Sequence, residues 1–145
     1  MVYMPLRPIP GRAADASGAM ATTRSGWDAA FYEDAGGGKP VKEFLDGLEA
    51  IDPDSTETIY TKFRLFGDRG WEESVKCELL KHVRGKIWEL KVKGGQPRVL
   101  GFGWHKLFIA AAAEIKKRDD LDPNTIEAAE RRREDWFERH SGPGK

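Results

Sequence analysis

One cysteine, Cys77, is all the thiol this 145-residue chain contains. No intramolecular disulfide can form, and no Cys/His cluster stands at zinc spacing, which excludes a disulfide-stapled secreted scaffold and a structural zinc module. No metal or other cofactor is expected. Long apolar runs are missing as well, and Pro5, Pro8, Pro10 and Gly11 interrupt the first twenty residues, so neither a membrane span nor a secretory leader is expected. A reducing cytoplasm is the expected location. With 39% hydrophobic residues there is material for one modest core and hardly for two.

An excess of either charge is also lacking, since the formal net charge is +0. The zero conceals a division. From Lys76 to Arg118 eleven cations face only Glu78, Glu89 and Glu114, a surplus of eight that the remainder of the chain cancels. A basic middle between acidic flanks suits a nucleic-acid surface, although lysines on the wet side of strands also serve to blunt sheet edges.

Residues 1–25 are rich in Pro, Gly, Ala, Ser and Thr without periodicity, and they read as a disordered arm ahead of one domain over residues 26–145. Met20 is an alternative start. Trp27, Ala29 and Phe31 alternate with Asp28, Ala30 and Tyr32, which predicts a first strand. Pro40, with Val41, Phe44, Leu45 and Leu48, predicts a helix over residues 40–50. Asp52 and Pro53 repeat that start signal for a second helix ending near Gly67, the two forming a hairpin.

Past Gly70 the period changes from helical to alternating. Ile87 to Lys93 puts Trp88, Leu90 and Val92 on an inner face against Glu89, Lys91 and Lys93 outside. Gly94 and Gly95 supply a turn to a strand over Arg98–Trp104, and Leu107–Ile115 makes a third despite the alanine run 110–113, whose strand propensity is weak. Pro123 opens a closing helix that reaches about His140. The expectation is an α+β fold: N-terminal strand, two-helix hairpin, antiparallel three-strand meander, C-terminal helix.

Three stretches, in this order, carry a family resemblance. Gly38-Lys39-Pro40-Val41-Lys42-Glu43-Phe44-Leu45, then Val83 to Val92 with Pro97-Arg98-Val99-Leu100, then Ile115-Lys116-Lys117 with Pro123 and Ile126-Glu127-Ala128-Ala129, resemble the phage-derived HigB branch of the RelE/ParE toxins of bacterial type II toxin–antitoxin pairs. The resemblance implies a RelE-like fold and a metal-independent endoribonuclease, an mRNA interferase that cuts ribosome-bound mRNA. It also implies a HigA-like helix-turn-helix antitoxin as partner. Around Lys116 the chain carries Glu114, Asp119 and Asp120, which makes that end more acidic than the family pattern.

Cleavage through the ribose 2′-hydroxyl needs a base, fixed cations and an acid. Lys91, Lys93 and Arg98 are placed to converge on one phosphate, with Lys116, Lys117 and Arg118 closing the site from the third strand. Glu89 and His105 are the first candidates for base and acid, with His82 behind them, and each has a plain structural role open to it as an ion-pair partner or an exposed turn residue. Lys81, Arg84, Lys86, Lys93, Lys106 and Arg118 are candidate RNA contacts. Phe102 and Trp104 have rings that could stack on bases, but a domain this small needs its aromatics inside, as it does Trp88. Arg131-Arg132-Arg133 lies among glutamates and reads as a solvated helix face. Two alternatives stay open: a non-catalytic RNA- or protein-binding relative of the same fold, and a ParE-like gyrase inhibitor.

Overall fold

A computed structural model describes residues 25–92, 97–115 and 121–141. The element order is β1 (Asp28–Phe31), α1 (Pro40–Ile51), α2 (Pro53–Lys76), β2 (Leu80–Arg84), β3 (Ile87–Leu90), β4 (Pro97–Trp104), β5 (Leu107–Ile115) and α3 (Pro123–Ser141). Proline opens each helix, where its missing N–H deprives no acceptor and its fixed φ already suits the first turn. Between α1 and α2 a single residue does two jobs. The Asp52 N–H donates to the Leu48 carbonyl at 2.6 Å and closes α1, while its carboxylate accepts from the Ser55 N–H at 3.2 Å and the Ser55 hydroxyl at 2.7 Å and caps α2. Those bonds hold the Asp52 carboxyl below its ordinary range.

The second helix does not end near Gly67. It runs to a kink at Gly70, whose φ of +85° is left-handed backbone, and then continues to Lys76. Gly67 is buried inside the helix, so the first glycine in the run was not the stop signal. A Cβ on Gly70 would lie 3.0 Å from the Ser25 Cβ, so the kink also marks a close approach of two backbones.

The sheet has five strands in the order β1-β5-β4-β3-β2, one more than the expected four. All neighbours are antiparallel except β1, which pairs parallel with β5 through Asp28↔Leu107 to Phe31↔Ala110. The strand missed in the sequence is β2, Leu-Lys-His-Val-Arg. Leu80 is its one fully buried residue, and a bulge between His82 and Arg84 breaks its alternation. It is an edge strand, and charged side chains are what keep such an edge from pairing with another chain.

Helices cover both faces of the sheet, so the inner strands are buried on both sides. Ala29, Phe31, Leu90, Val99 and Phe108 pack with α1 and α2, while Ala30, Ile87, Leu100, Phe102 and Ile109 pack with Trp136 of α3. Ala30 and Tyr32 are accordingly inside, at 0% and 4% exposure. The same geometry explains the alanine run: Ala110, Ala111 and Ala112 lie in a strand with helices above and below, and burial overrides weak propensity there. Phe102 and Trp136 are fully buried, and Trp88 and Trp104 half-buried. No helix among the described residues is long and apolar enough to cross a membrane.

Candidate functional site

Strand register decides which of the candidate side chains meet. Glu89 pairs with Leu100 and Leu90 with Val99, so Lys91, one step past the end of β3, stands opposite Arg98. Residues directly opposite in an antiparallel pair share a face. Lys81 on β2 pairs with Glu89, and Glu114 on β5 pairs with Arg98. Lys81, Glu89, Lys91, Arg98 and Glu114 therefore lie on one face, the α3 side, toward one end of the sheet. The Lys91 N–H donates to the Leu79 carbonyl at 2.8 Å, which ties its backbone to the start of β2.

At the centre of this group the Arg98 Nε is 3.8 Å from the Glu89 Oε2, with side chains only 13% and 11% exposed. Glu89 is one of three buried polar residues among those described. A carboxylate and a guanidinium so far withdrawn from water interact more strongly than a surface pair, and each keeps the other ionised and oriented. Glu114 is held differently: its Oε1 accepts from the Asp122 N–H at 3.2 Å and anchors the approach to α3. Asp122 in turn caps that helix, its Oδ1 accepting from the Asn124 N–H at 2.9 Å. The group thus sits where the last helix is fastened to the sheet.

The remaining candidates fall in three places. Lys93, Lys116, Lys117 and Arg118 lie outside the described residues. Arg84 is engaged in a two-bond fork with Glu130 of α3, at 3.1 and 2.7 Å, which raises the guanidinium and lowers the carboxyl from their ordinary values. Lys86, His105 and Lys106 stand in the β2–β3 and β4–β5 turns, at the far end of the strands. From Arg98 to Trp104 the chain advances six residues along β4, roughly 20 Å at strand rise. The structure does not bring His105 to Arg98. His105 instead rests on Trp104, ring centres 4.3 Å apart, and His82 bonds the Gly85 carbonyl at 2.8 Å and packs on Trp88.

Two arginines of the 131–133 run are not a solvated face. The Arg132 Nη1 donates to the Ala111 carbonyl at 2.8 Å, and the Arg133 guanidinium lies 4.5 Å from the centre of the Phe137 ring. Sequence spacing also missed Trp71, which enters a cluster with Trp27 and Trp88 beside a cavity of about 850 Å³ at the turn end of the sheet. The one local sign of it was Gly70, directly before the tryptophan, where a left-handed glycine re-aims the following residues.

One end of the sheet thus carries a partly buried carboxylate–guanidinium pair among lysines, the other an aromatic cavity. No curated protein matches the chain. Residues 46–134, more than half of it and including Lys81, Glu89, Lys91, Arg98 and Glu114, match the phage-derived protein Gp49-like family. The chain belongs to that family (DUF891), broadly a family of toxin–antitoxin toxins, whose members imply an antitoxin as partner.

Proposed function

We propose that this protein is a HigB-like toxin that cuts translated mRNA as a metal-independent endoribonuclease and is held inactive by a HigA-like helix-turn-helix antitoxin. The observation that carries the proposal is the Glu89–Arg98 pair, with Lys91 and Lys81 on the same face. The Glu89 carboxylate takes the proton of a ribose 2′-hydroxyl as its oxygen attacks the adjacent phosphorus. The new P–O2′ bond forms as the P–O5′ bond breaks, leaving a 2′,3′-cyclic phosphate and a 5′-hydroxyl. Arg98 offers a planar fork to two non-bridging oxygens, and Lys91 adds a point charge beside it. A proton for the leaving 5′-oxygen is assigned to the Lys116-Lys117-Arg118 segment, which follows Ile115 directly in the chain.

Geometry selects Glu89 over His105 as the base. A base must come within hydrogen-bond reach of the proton it removes, and His105 stands roughly 20 Å away along β4. The test is to supply purified protein with translating ribosomes and map new mRNA 5′ ends by primer extension. Cuts made by the wild type, and lost in Glu89→Gln and Arg98→Ala variants of native circular dichroism, support the reading. Intact mRNA with folded wild type sinks it.

One observation favours a second reading, binding without cleavage. Arg98 has a carboxylate diagonal to it in Glu89 and another opposite it in Glu114, which reduces the positive field on a phosphate. RNA retention without new ends would select that reading.

A further inference from the structure

The cavity at the turn end of the sheet is built by three departures from regular backbone. Gly70 kinks α2 with φ +85° and turns Trp71 toward the sheet. Gly103 leaves room for it, since a Cβ there would lie 3.1 Å from the Trp71 ring. The β4–β5 hairpin turns on His105 and Lys106, with φ of +47° and +63°. Two consecutive positive-φ residues are what a tight two-residue hairpin demands, and Asn-Gly meets that demand at least strain. A histidine and a lysine held there are strained backbone of the kind that collects at binding sites.

Three half-buried indoles line the cavity. Trp27 and Trp71 have ring centres 5.3 Å apart, and Trp71 and Trp88 5.5 Å. The Lys106 ammonium is 5.2 Å from the centre of the Trp27 ring, and Lys86 enters from the β2–β3 turn. Arg69 and Arg133 complete four cations against Glu72 and Glu73, an excess of two positive charges. That excess decides the ligand class. An aromatic cage for an ammonium ligand would need the opposite balance. A planar ring bearing a negative group matches both the indoles and the cations, and the volume of about 850 Å³ is in the ordinary range for a ligand pocket.

We infer that this cavity binds an unstacked nucleotide of single-stranded RNA, the base against Trp71 and Trp88 and the phosphate on Lys86 and Lys106. It is a second contact, separated from Arg98 by the length of β4. Every base has a π-face, so the pocket takes a base with little regard to sequence, and the lysines make the contact salt-dependent. An acidic peptide would use the lysines but has no need of three indoles.

Binding here does not depend on cleavage at Glu89, and the test keeps the two apart. An unlabelled 2′-O-methyl oligouridylate of about ten nucleotides, within the span of single-strand-binding sites, lacks the attacking hydroxyl and cannot be cut by the proposed route. Titrated into the full chain, it is expected to quench tryptophan fluorescence saturably. In a Lys86→Gln, Lys106→Gln variant of native circular dichroism, affinity should fall about tenfold and the log–log salt slope should shrink by about 1.4, two single-strand phosphate contacts. Arg98→Ala should leave the quenching in place, and Trp88→Leu should reduce its amplitude. The inference is overturned if the double lysine variant binds like the wild type, if wild type gives no quenching, or if polyglutamate quenches and competes as well as the oligonucleotide.

Discussion

Arg132 of α3 donates to the main-chain carbonyl of Ala111 in β5 at 2.8 Å, across the layer between helix and sheet. Ala111 is the extra residue of a bulge: Leu100 pairs with Ala112 and Gly101 with Ala110, so Ala111 has no place in the ladder. It is fully buried, and a buried carbonyl without a donor is costly. Arg132→Met, which keeps much of the stem's packing, is expected to destabilise the fold by about 1–3 kcal/mol, the desolvation cost of the orphaned group. Urea denaturation measures this, and an unchanged midpoint would mean that water replaces the guanidinium.

The same bulge constrains Gly101. An added Cβ would sit 2.3 Å from the Ile109 carbonyl oxygen and 2.6 Å from the Phe108 Cζ, contacts that force backbone to move. Gly101→Ala is expected to cost at least about 1–3 kcal/mol, as overpacking does. Thermal unfolding should show a lowered Tm, with Gly47→Ala as the control, since nothing lies within 4 Å of a Cβ there.

Tyr32, Asp135 and Arg139 form one network that predicts a pH profile. The Tyr32 hydroxyl donates to the Asp135 Oδ2 at 2.6 Å, and Arg139 donates to the same carboxylate and to the Glu33 carbonyl. Burial first, then the Asp135 carboxylate, push Tyr32 from 10.0 up to about 12. Its contribution to stability is present below pH 10 and is lost as pH rises from there toward 12. Asp135 is held below its ordinary 3.8, chiefly by the bond from Arg139, so its contribution is present above that pH and lost as pH falls through the lowered value. Denaturant midpoints of wild type and Tyr32→Phe should converge above pH 10, and absorbance titration should lose its latest-ionising tyrosine in the variant. A gap that persists at pH 12 would refute the alkaline half of this account.

Glu89 and His105 separate by activity. If Glu89 is the base, Glu89→Gln should lower the cleavage rate by about 10²–10⁴, the usual contribution of general-base catalysis, and His105→Asn should change it by less than about threefold, as a residue outside proton-transfer reach. Single-turnover cleavage on ribosome-bound message measures both. A large loss in His105→Asn alone would exchange the two assignments.

Local signals placed most of the elements. Pro40, Pro53 and Pro123 stand at the helix starts because proline's fixed φ suits that position in any context. The pairing of Ile87–Leu90 with the strand beginning at Pro97 follows from alternation, a property of each strand alone. β2 was illegible for a related reason: as a bulged edge strand it buries little, so alternation never develops.

Long-range facts lay beyond any local pattern. The chemical types of Lys81, Glu89, Lys91 and Arg98 were plain from the sequence, but their sharing of one face depends on register, which is set by pairing between distant strands. His105 sat only seven positions from Arg98 and looked close, yet an extended strand turns sequence proximity into distance. Arg84 and Arg132 read as free cations until α3 packed across the sheet and gave them Glu130 and the Ala111 carbonyl. The sequence by itself determined which chemistry the chain carries and where its helices begin, because those follow from side-chain type and backbone preference. Only the tertiary structure decided which charges meet, since that depends on register and layer packing between residues far apart in the chain.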